Sequence, residues 1–469
     1  MTATTARIAA FVSGTSYEGL PDAVSARAKL LIMDCLGIAV RARHDADSTP
    51  SLLAAVDQLG LRGGQTTVVG DSATYAPPGA ALINGTLAHS LDFDDTHAGG
   101  SIHASAPIVP AALAAAEMVA ADGRALLAGI VAGFEVQIRL SLALVPGDHY
   151  ERGYHPTATC GAFGAAAAAA RVFGLSAAQI AHAFGICLSQ TAGSMAFLNE
   201  GAWTKRFQVG YAAMNGLVAA SLAKEGFTGP AEPFVGKAGF LHSYAPNPLV
   251  EKAVDGLGEV YETMAIGVKP YPSCRYSHAG MDALIALRDA HAIEPAEIEA
   301  VEIGLSQTGW RIVGDPEAEK HQPKNTVDGQ FSMPFLAAVV LREGGMVWDD
   351  YRDHLVDEQT LALCRKVTTV VAPEGLLASP WSARVEVRTG RGSFETVVAI
   401  PKGEPETFLA AEELRAKFDG LVGPYLSVDR RDQLAEALLA IEAAPDIGDV
   451  VKLTRSDRAV PLRMAAGEG

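Results

Sequence analysis

Residues 89–111 read H-S-L-D-F-D-D-T-H-A-G-G-S-I-H-A-S-A-P-I-V-P-A, and the interpretation of the chain starts from this stretch. It is dense in titratable side chains, which are His89, Asp92, Asp94, Asp95, His97 and His103. The sequence on both sides is apolar and rich in small residues. Because an ion buried without a partner costs several kcal/mol, so many titratable groups in an apolar setting indicate a functional site.

The residues leading into this stretch predict a helix over 79–96. In such a helix Asp92 and Thr96 lie four residues apart on one face, and His89 lies one turn earlier. A pair of glycines then ends the helix, and His103 follows on a loop.

Two other interpretations apply to the same residues. Taken singly, Asp94 and Asp95 read as a solvated helix end, and His89 as a core histidine bonded to a backbone carbonyl. Aspartate and histidine are also metal ligands, but the stretch has no H-E-x-x-H or Cys/His ligand spacing and nothing marks a second cluster. We therefore expect a site that uses no metal.

The composition limits the class of protein. A chain of 469 residues is too long for one compact core, so two domains are expected. Hydrophobic residues make up 49% and charged residues 19%, which indicates a large buried interior and a buried subunit interface. The net charge of −17 argues against nucleic acid and an anionic membrane surface as partners. A small anionic substrate would need positive side chains gathered at its site.

The cysteines and the N-terminus predict a cytoplasmic protein. Five scattered cysteines without a C-x-x-C pair are typical of a reducing compartment; they are Cys35, Cys160, Cys187, Cys274 and Cys364. The first residues lack the basic and apolar regions of a signal peptide. The apolar run at 125–145 is interrupted by Glu135 and Arg139, so we expect no membrane span.

Helical patterns dominate the first part of the chain. One helix is expected over about 21–42, and two between 107 and 146 with a turn at Asp122-Gly123. His155 precedes Pro156, so it is expected to be extended at the entrance of an alanine-rich helix. Ser176 and Gln179 predict a capping box at the start of the next helix.

Two adjacent cations, Lys205 and Arg206, lie in the segment W-T-K-R-F-Q-V-G-Y-A-A at 203–213. One interpretation is an exposed basic pair at a helix start. Because the helix macrodipole disfavours cations at the N-terminus, the pattern favours a bound anion as their partner.

The periodicity of the apolar residues changes near residue 265. Segments with a period of two predict strands at 298–306, 367–371, 383–389 and 394–400. Helices are expected beside them at 279–291 and 334–343, and after residue 403 at 407–422 and 428–443. We therefore predict a mostly α protein, with a large all-helical domain (1–264 plus 404–469) and an inserted, smaller α+β lid domain (265–403).

Several segments, in this order and spacing, resemble the MmgE/PrpD family over essentially the whole chain: A-H-S-L-D-F-D-D-T, H-A-S-A-P-I-V-P, G-Y-H-P-T, T-K-R-F-Q-V-G and K-P-Y-P-S-C-R-Y-S-H. That family includes 2-methylcitrate dehydratases, cis-aconitate decarboxylases and an iminodisuccinate epimerase. The resemblance implies a homodimer without a cofactor, with its active site between the helical domain and the lid.

Carried over position by position, the resemblance implies an active site made of Asp92, Thr96, His103, His155, Lys205 and Lys269. The chain departs from the decarboxylase pattern at two positions. Cys274 stands where the decarboxylases have a histidine five residues after the lid lysine, and Phe335 where they have an active-site tyrosine. Both departures argue against cis-aconitate decarboxylation.

The shared chemistry of the family makes or quenches a carbanion beside a carboxylate, so the site must stabilise developing negative charge. His103 is the expected general base or acid, because histidine titrates near neutral pH. Asp92 would fix its tautomer or neutralise a nearby cation, and Thr96 would bond a substrate carboxylate or hydroxyl.

Other residues are expected to complete the site. The cations that would hold substrate carboxylates are Lys205, Arg206, Lys269 and Arg275. The second acid or base is left open among His155, Cys274, His278 and a lysine. Cys274 is equally well interpreted as an inert buried thiol.

The function that these residues favour is a cofactor-independent lyase or isomerase acting on a small di- or tricarboxylate. Dehydratase chemistry of the 2-methylcitrate type is expected first. The alternatives are an epimerase of the iminodisuccinate type, a cis-aconitate-type decarboxylase, and a helical dimer that binds a dicarboxylate without turning it over.

Overall fold

A computed structural model of the chain describes residues 3–199 and 201–457. The described chain is mostly α-helical, as the sequence predicts. It divides into two compact units. The first comprises the described residues up to Val268 together with those from Ala410 onward, and the second runs from Lys269 to Leu409.

The first unit begins with a long series of helices. They are α1 (Ala3–Gly14), α2 (Asp22–Asp45), α3 (Thr49–Gln58), α4 (Pro77–Ala88), α5 (Ser105–Val119), α6 (Gly123–Leu144), α7 (Pro146–Glu151), α8 (Pro156–Val172), α9 (Ala177–Leu188), α10 (Thr204–Lys224) and α11 (Phe240–Tyr244). Short strands lie between them: β1 (Arg62–Thr67) pairs with β2 (Thr74–Tyr75), and β3 (Thr96–His97) with β4 (Ile266–Gly267). The unit is therefore not all-helical, contrary to the prediction.

The alanine-rich helix α8 lies at the centre of this unit. Its residues from Pro156 to Ala170 are all buried, and it packs against α5, α6, α9 and α10. Alanine leaves little side chain between helix axes, so these helices approach closely. Gly210 serves the same purpose where α10 meets α4, since a Cβ there would overlap the carbonyl oxygen of Leu82. This packing fixes the start of α10 beside the end of α4.

Helix α6 is long and apolar enough to cross a membrane, by length and composition alone. However, 89% of its most apolar window is buried inside the protein. It also carries Glu135 and Arg139, which are 0% and 2% exposed and contact each other at 3.2 Å. These features are those of a core helix.

The second unit combines helices with a sheet. Its helices are α12 (His278–His291), α13 (Gln307–Gly309), α14 (Glu317–Lys320), α15 (Thr326–Gln330), α16 (Met333–Glu343), α17 (Asp350–His354) and α18 (Glu358–Cys364). Its strands are β5 (Ile298–Leu305), β6 (Val367–Val371), β7 (Ala383–Thr389) and β8 (Gly392–Val398), in the order β6-β5-β7-β8. Only β5 and β6 pair in parallel. The predicted strands are confirmed, each to within two residues.

After the second unit the chain returns to the first with α19 (Ala411–Val422), α20 (Val428–Leu439) and α21 (Ile447–Lys452). Helix α19 packs along α2, with Phe418 lying over Gly37. The two helices predicted at 407–422 and 428–443 are confirmed, although each is shorter than expected.

Candidate active site

The segment from His89 to Asp95 is a tight turn. Helix α4 ends at Ala88, so the prediction of a helix to residue 96 is wrong. Asp92 has a φ of 51°, a left-handed conformation that cannot continue an α-helix. Leu91 and Phe93 are buried in the core on either side of it. Tertiary contacts of the turn thus override the helical pattern of the sequence.

Asp94 lies between two imidazoles, and we refer to these residues as the His89–Asp94–His103 cluster. The Oδ2 atom of Asp94 is 2.7 Å from Nδ1 of His89 and 3.2 Å from Nδ1 of His103. The first contact is a hydrogen bond, and the second is an ion-pair distance without hydrogen-bond alignment. The side chains of His89 and Asp94 are 0% and 2% exposed, against 15% for His103. His103 is therefore the member that a substrate can reach.

Electrostatics fix the charges in this cluster. Burial alone would raise the pKa of Asp94, but the neighbouring His103 and the hydrogen bond from His89 hold it well below its usual range. Burial lowers the pKa of His89 to about 4, against the opposing effect of Asp94. Near pH 7 Asp94 is therefore an anion and His89 is neutral. Since a carboxylate only accepts hydrogen bonds, Nδ1 of His89 carries the proton, and its Nε2 has no hydrogen-bond partner among the described residues.

Neighbouring elements hold the backbone around His103. Asp95 accepts hydrogen bonds from the backbone N–H groups of Ala104 and Ser105, at 2.9 and 3.1 Å, and so caps the N-terminus of α5. The N–H of His103 donates to Oγ1 of Thr157 at 3.2 Å, and its carbonyl oxygen accepts from Gln137 at 3.2 Å. Asp94 and Asp95 are each 1% exposed, so they are not a solvated helix end.

His155 lies at the entrance of α8 in an extended conformation, as predicted, with φ −100° and ψ 103°. Its ring centroid is 5.9 Å from that of His89, and the two rings are stacked. Burial lowers the pKa of His155 well below its usual value, and the charges of His89, Lys205 and His103 lower it further. The ring is therefore neutral, with Nδ1 2.8 Å from Nε2 of Gln208.

The lysine of the basic pair contacts a carboxylate of the turn. Nζ of Lys205 donates to Oδ1 of Asp92 at 2.9 Å, and their side chains are 27% and 12% exposed. Arg206 lies close to Oγ of Ser48 at 3.4 Å, and burial lowers its pKa. The partner of Lys205 in this structure is thus a protein carboxylate, in the position where the sequence predicts a bound anion.

A second lysine lies beneath the same turn. Nζ of Lys417, on α19, is 2.6 Å from Oδ1 of Asp34 on α2 and donates to the carbonyl oxygen of Phe93 at 3.0 Å. It also lies 3.8 Å from the centroid of the Phe93 ring, within cation–π range. Burial raises the pKa of Asp34 to about 6, although Lys417 opposes this effect. The turn is therefore held from both sides by lysines.

Thr96 follows the turn on β3, where it pairs with Gly267 of β4. Its side chain is half-buried. Strand pairing fixes the backbone of Thr96 only, so the hydroxyl is left to make other contacts.

The second unit contains Lys269 and Cys274, which are buried at 2% and 8% exposure. The N–H of Cys274 donates to the carbonyl oxygen of Gln330 at 3.0 Å. Phe335 is fully buried in the core of this unit and stacks on Tyr351 with ring centroids 6.1 Å apart. Phe335 is thus a core position of the second unit, and its predicted bearing on decarboxylation stays a prediction.

Arg275 and His278 have partners within the second unit. Nε of Arg275 donates to Oε1 of Glu404 at 2.7 Å, and a terminal nitrogen donates to Nδ1 of His278 at 2.8 Å. Nε2 of His278 faces the carbonyl oxygen of Ser273 at 3.3 Å. These contacts are those of a buried structural network, and the predicted substrate-binding roles of both residues stay predictions.

Two family models together match most of the chain. The MmgE/PrpD N-terminal domain matches residues 6–252, and the MmgE/PrpD C-terminal domain matches residues 271–442. The chain belongs to the MmgE/PrpD family.

Curated relatives of this MmgE/PrpD protein match it along nearly their whole length. A cis-aconitate decarboxylase-like protein of Aspergillus oryzae is 28% identical, with 96% of each chain covered. The cis-aconitate decarboxylase of Aspergillus terreus is 26% identical over 98% of this chain and 97% of its own. That of Homo sapiens is 26% identical over 96% and 94%.

Metal binding is a further possibility for the cluster of this MmgE/PrpD protein. Within the described residues, His89, Asp94 and His103 each bring a donor atom within 4.8 Å of the others, close enough for three metal ligands. However, Nδ1 of His89 and Oδ2 of Asp94 are already joined by a hydrogen bond, so a metal ion would have to displace the proton between them. The arrangement fits a hydrogen-bonded dyad better than a ligand set.

Three residues of the site are recognisable as functional candidates in the structure but not in the sequence. His89 and Asp94 read singly as ordinary residues, and their contact with each other becomes visible only when the turn is known. Gln208 lies three residues after Lys205, the spacing that places two side chains on one helix face. This spacing within T-K-R-F-Q-V-G is the sequence feature from which Gln208 could have been predicted to lie in the site.

Proposed function

We propose that this MmgE/PrpD protein is a cofactor-independent lyase that acts on a small di- or tricarboxylate by removing a proton beside a carboxylate. The observation that carries the proposal is the contact of His103 with a buried, ionised Asp94. When the ring of His103 turns to donate from Nδ1 to this carboxylate, its Nε2 is left unprotonated as a general base. The relatives support lyase chemistry, since those named above are decarboxylases or resemble them.

The other residues of the first unit supply the electrostatics of the reaction. When His103 takes the proton it becomes an imidazolium, and Asp94 stabilises that charge. His155 is neutral and acts as a hydrogen-bond donor to the developing negative charge rather than as a strong acid. Lys205 would leave Asp92 to bind a substrate carboxylate, and Thr96 would bind a carboxylate or hydroxyl. The predicted role of Lys269 is part of the same proposal, and that of Cys274 stays open between a proton carrier and an inert buried thiol.

We propose dehydration as the reaction type, with a 2-methylcitrate-like hydroxy acid as substrate. The decarboxylases have a histidine where this chain has Cys274, and this difference favours dehydration over decarboxylation. Decarboxylation of a cis-aconitate-like acid is the second candidate, and the names of the relatives favour it. In dehydration His103 removes the carbon-bound proton, and the hydroxyl leaves as water with a proton from a second acid, left open among Cys274, His278 and a lysine. In decarboxylation the loss of CO₂ leaves a carbanion, to which a protonated His103 would give a proton.

The test is incubation in D₂O with 2-methylcitrate, citrate, cis-aconitate and iminodisuccinate, followed by NMR. Loss of water from a hydroxy acid supports dehydration, and release of CO₂ supports decarboxylation. Inversion with solvent deuterium at carbon indicates an epimerase. If no acid exchanges a carbon-bound proton or forms a product while one of them still binds, the protein is a dicarboxylate-binding dimer and the lyase proposal is wrong.

We also propose that the protein is a cytoplasmic homodimer. Its five cysteines are all buried and free, which suits a reducing compartment. Exposed apolar side chains support the dimer: Trp203, directly before α10, and Phe207 and Leu222, within it, are 41%, 44% and 37% exposed. Light scattering of Phe207→Glu should show a smaller mass than that of the wild type. Val356→Glu, at an isolated valine that is 81% exposed, is the control and should leave the mass unchanged.

A further inference from the structure

The side chain of Gln208 has a single orientation that its contacts define. Gln208 is 8% exposed, and its Oε1 lies 2.9 Å from the backbone nitrogen of Ser194. A backbone N–H can only donate, so the atom facing it must be the amide oxygen. The other terminal atom is therefore the NH₂ group.

This NH₂ group has two acceptors. It lies 3.3 Å from the carbonyl oxygen of Ser194 and 2.8 Å from Nδ1 of His155. Both of its hydrogens are thus used, and Nδ1 of His155 must present a lone pair. A neutral imidazole with a lone pair on Nδ1 carries its proton on Nε2.

The surroundings hold His155 in place for this contact. Its N–H donates to the carbonyl oxygen of Gly193 at 3.2 Å, and Pro156 follows it at the start of α8. The neighbouring segment also pairs through Tyr154 and Ser194. The ring and the amide are therefore fixed relative to each other by the backbone.

We propose that Gln208 is a positioning residue that holds His155 in the Nε2–H tautomer, so that its ring offers a donor and not an acceptor to the substrate. The catalytic consequence of this inference rests on the proposed function. The tautomer itself can be measured whether or not that function is correct. A carboxylate at position 208 would accept a hydrogen bond from Nδ1 and would draw the proton to that nitrogen. The ring would then lose the donor on Nε2.

Histidine tautomers are measured directly by long-range ¹H–¹⁵N NMR of the ¹⁵N-labelled protein, with the His155 signals assigned through His155→Gln. We expect an Nε2–H ring in the wild type and an Nδ1–H or doubly protonated ring in Gln208→Glu. On a substrate that the wild type turns over, kcat of Gln208→Glu should fall about 10²–10³-fold, the usual cost of removing one donor to the developing charge. KM should change little, because the donor acts mainly in the transition state.

The control is Gln179→Glu, which adds the same charge at another helix. The Oε1 atom of Gln179 accepts from the N–H and the hydroxyl of Ser176 in the capping box of α9, and a glutamate serves there equally well. This variant should keep the wild-type tautomer and rate. If Gln208→Glu does not fold, Gln208→Met removes the donor without adding charge, and the ring should then populate both tautomers.

The possible failures are distinguishable. An Nδ1–H ring in the wild type, or an unchanged Nε2–H ring in Gln208→Glu, overturns the inference whatever the activity. A changed tautomer with unchanged kcat overturns the positioning role. If the wild type turns over no carboxylate, the proposed function fails, while the spectra still decide whether Gln208 sets the tautomer.

Discussion

Replacing Asp94 with asparagine is the sharpest test of the cluster. Asparagine has nearly the same shape but lacks the charge that stabilises an imidazolium at position 103. The oxygen of Asp94 lies 3.2 Å from Nδ1 of His103. Two unit charges at that separation interact by about 5 kcal/mol with an effective dielectric constant of about 20. That energy corresponds to nearly four powers of ten in rate.

The expected fall in kcat is about 10²–10⁴-fold, because an amide dipole replaces part of the lost charge. The assay is steady-state turnover of the acid identified by NMR, together with solvent deuterium exchange. His103→Gln should lower kcat by a similar factor, and the double variant should be little worse than either, since the two residues act as a unit.

The control for this experiment is Asp95→Asn. Asp95 is buried to the same extent as Asp94, but its Oδ1 accepts from the first N–H groups of α5 and its Oδ2 contacts the hydroxyl of Ser105. Asparagine keeps the oxygen that accepts from the backbone, and its NH₂ group can donate to the hydroxyl. This variant should keep at least a third of the activity. If Asp94→Asn retains more than about a tenth of the wild-type kcat, Asp94 does not support a base, and the cluster is a structural hydrogen-bond network.

Three other predictions follow from the same contacts. Lys205→Met should raise KM about 10–100-fold, the usual cost of losing a charged hydrogen bond, with a smaller effect on kcat; an unchanged KM would show that Lys205 does not bind the substrate. Cys274→Ser should lower the melting temperature with little change in kcat, since the thiol is buried; loss of turnover with persistent deuterium exchange would identify it as a proton carrier. Burial lowers the pKa values of His89 and His149 from 6.5 to about 4. Between these values the unfolded chain holds a proton that the folded chain does not, so the free energy of unfolding should fall as the pH drops. The slope reaches about 1.4 kcal/mol per pH unit for each histidine. Asp34, whose pKa burial raises to about 6, opposes this slope below pH 6. Urea unfolding between pH 7.5 and 4.5 is therefore compared for the wild type and His149→Gln, and equal slopes would contradict the prediction.

Periodicity predicts most of the secondary structure of this chain. The strand at 298–305 and the helix that follows Pro334 are recognisable because one face of each is buried and the pattern repeats. The capping box of Ser176 and Gln179 is confirmed as well, since it depends on residues three apart. Such features depend on residues that are close together in the chain, so the sequence alone is enough to predict them.

The turn at 89–95 could not be predicted in the same way. Its shape depends on partners distant in the chain, such as Lys205 for Asp92 and Lys417 for the carbonyl oxygen of Phe93. The sequence marks the stretch as dense in titratable groups, but it leaves Asp92 open between partner of the base and counterion of a cation, and it gives Asp94 no role in the site. In the structure Asp94 contacts His103, and Asp92 contacts a lysine. Aspartates two residues apart point in different directions in this turn, and no local pattern distinguishes them.

Lys417 also determines how the protein can be divided for study. It comes from α19, which is synthesised after the whole second unit, yet it bonds to Asp34 and Phe93 near the start of the chain. The MmgE/PrpD C-terminal model spans residues 271–442 and so includes α19 and α20, which belong to the first unit. A fragment cut at the family boundary would leave Asp34 buried without its cation and the 89–95 turn without one of its supports. Inactivity of such a fragment would report this loss and not the absence of catalytic residues, so the two units are better separated by removing 269–409 and rejoining the ends.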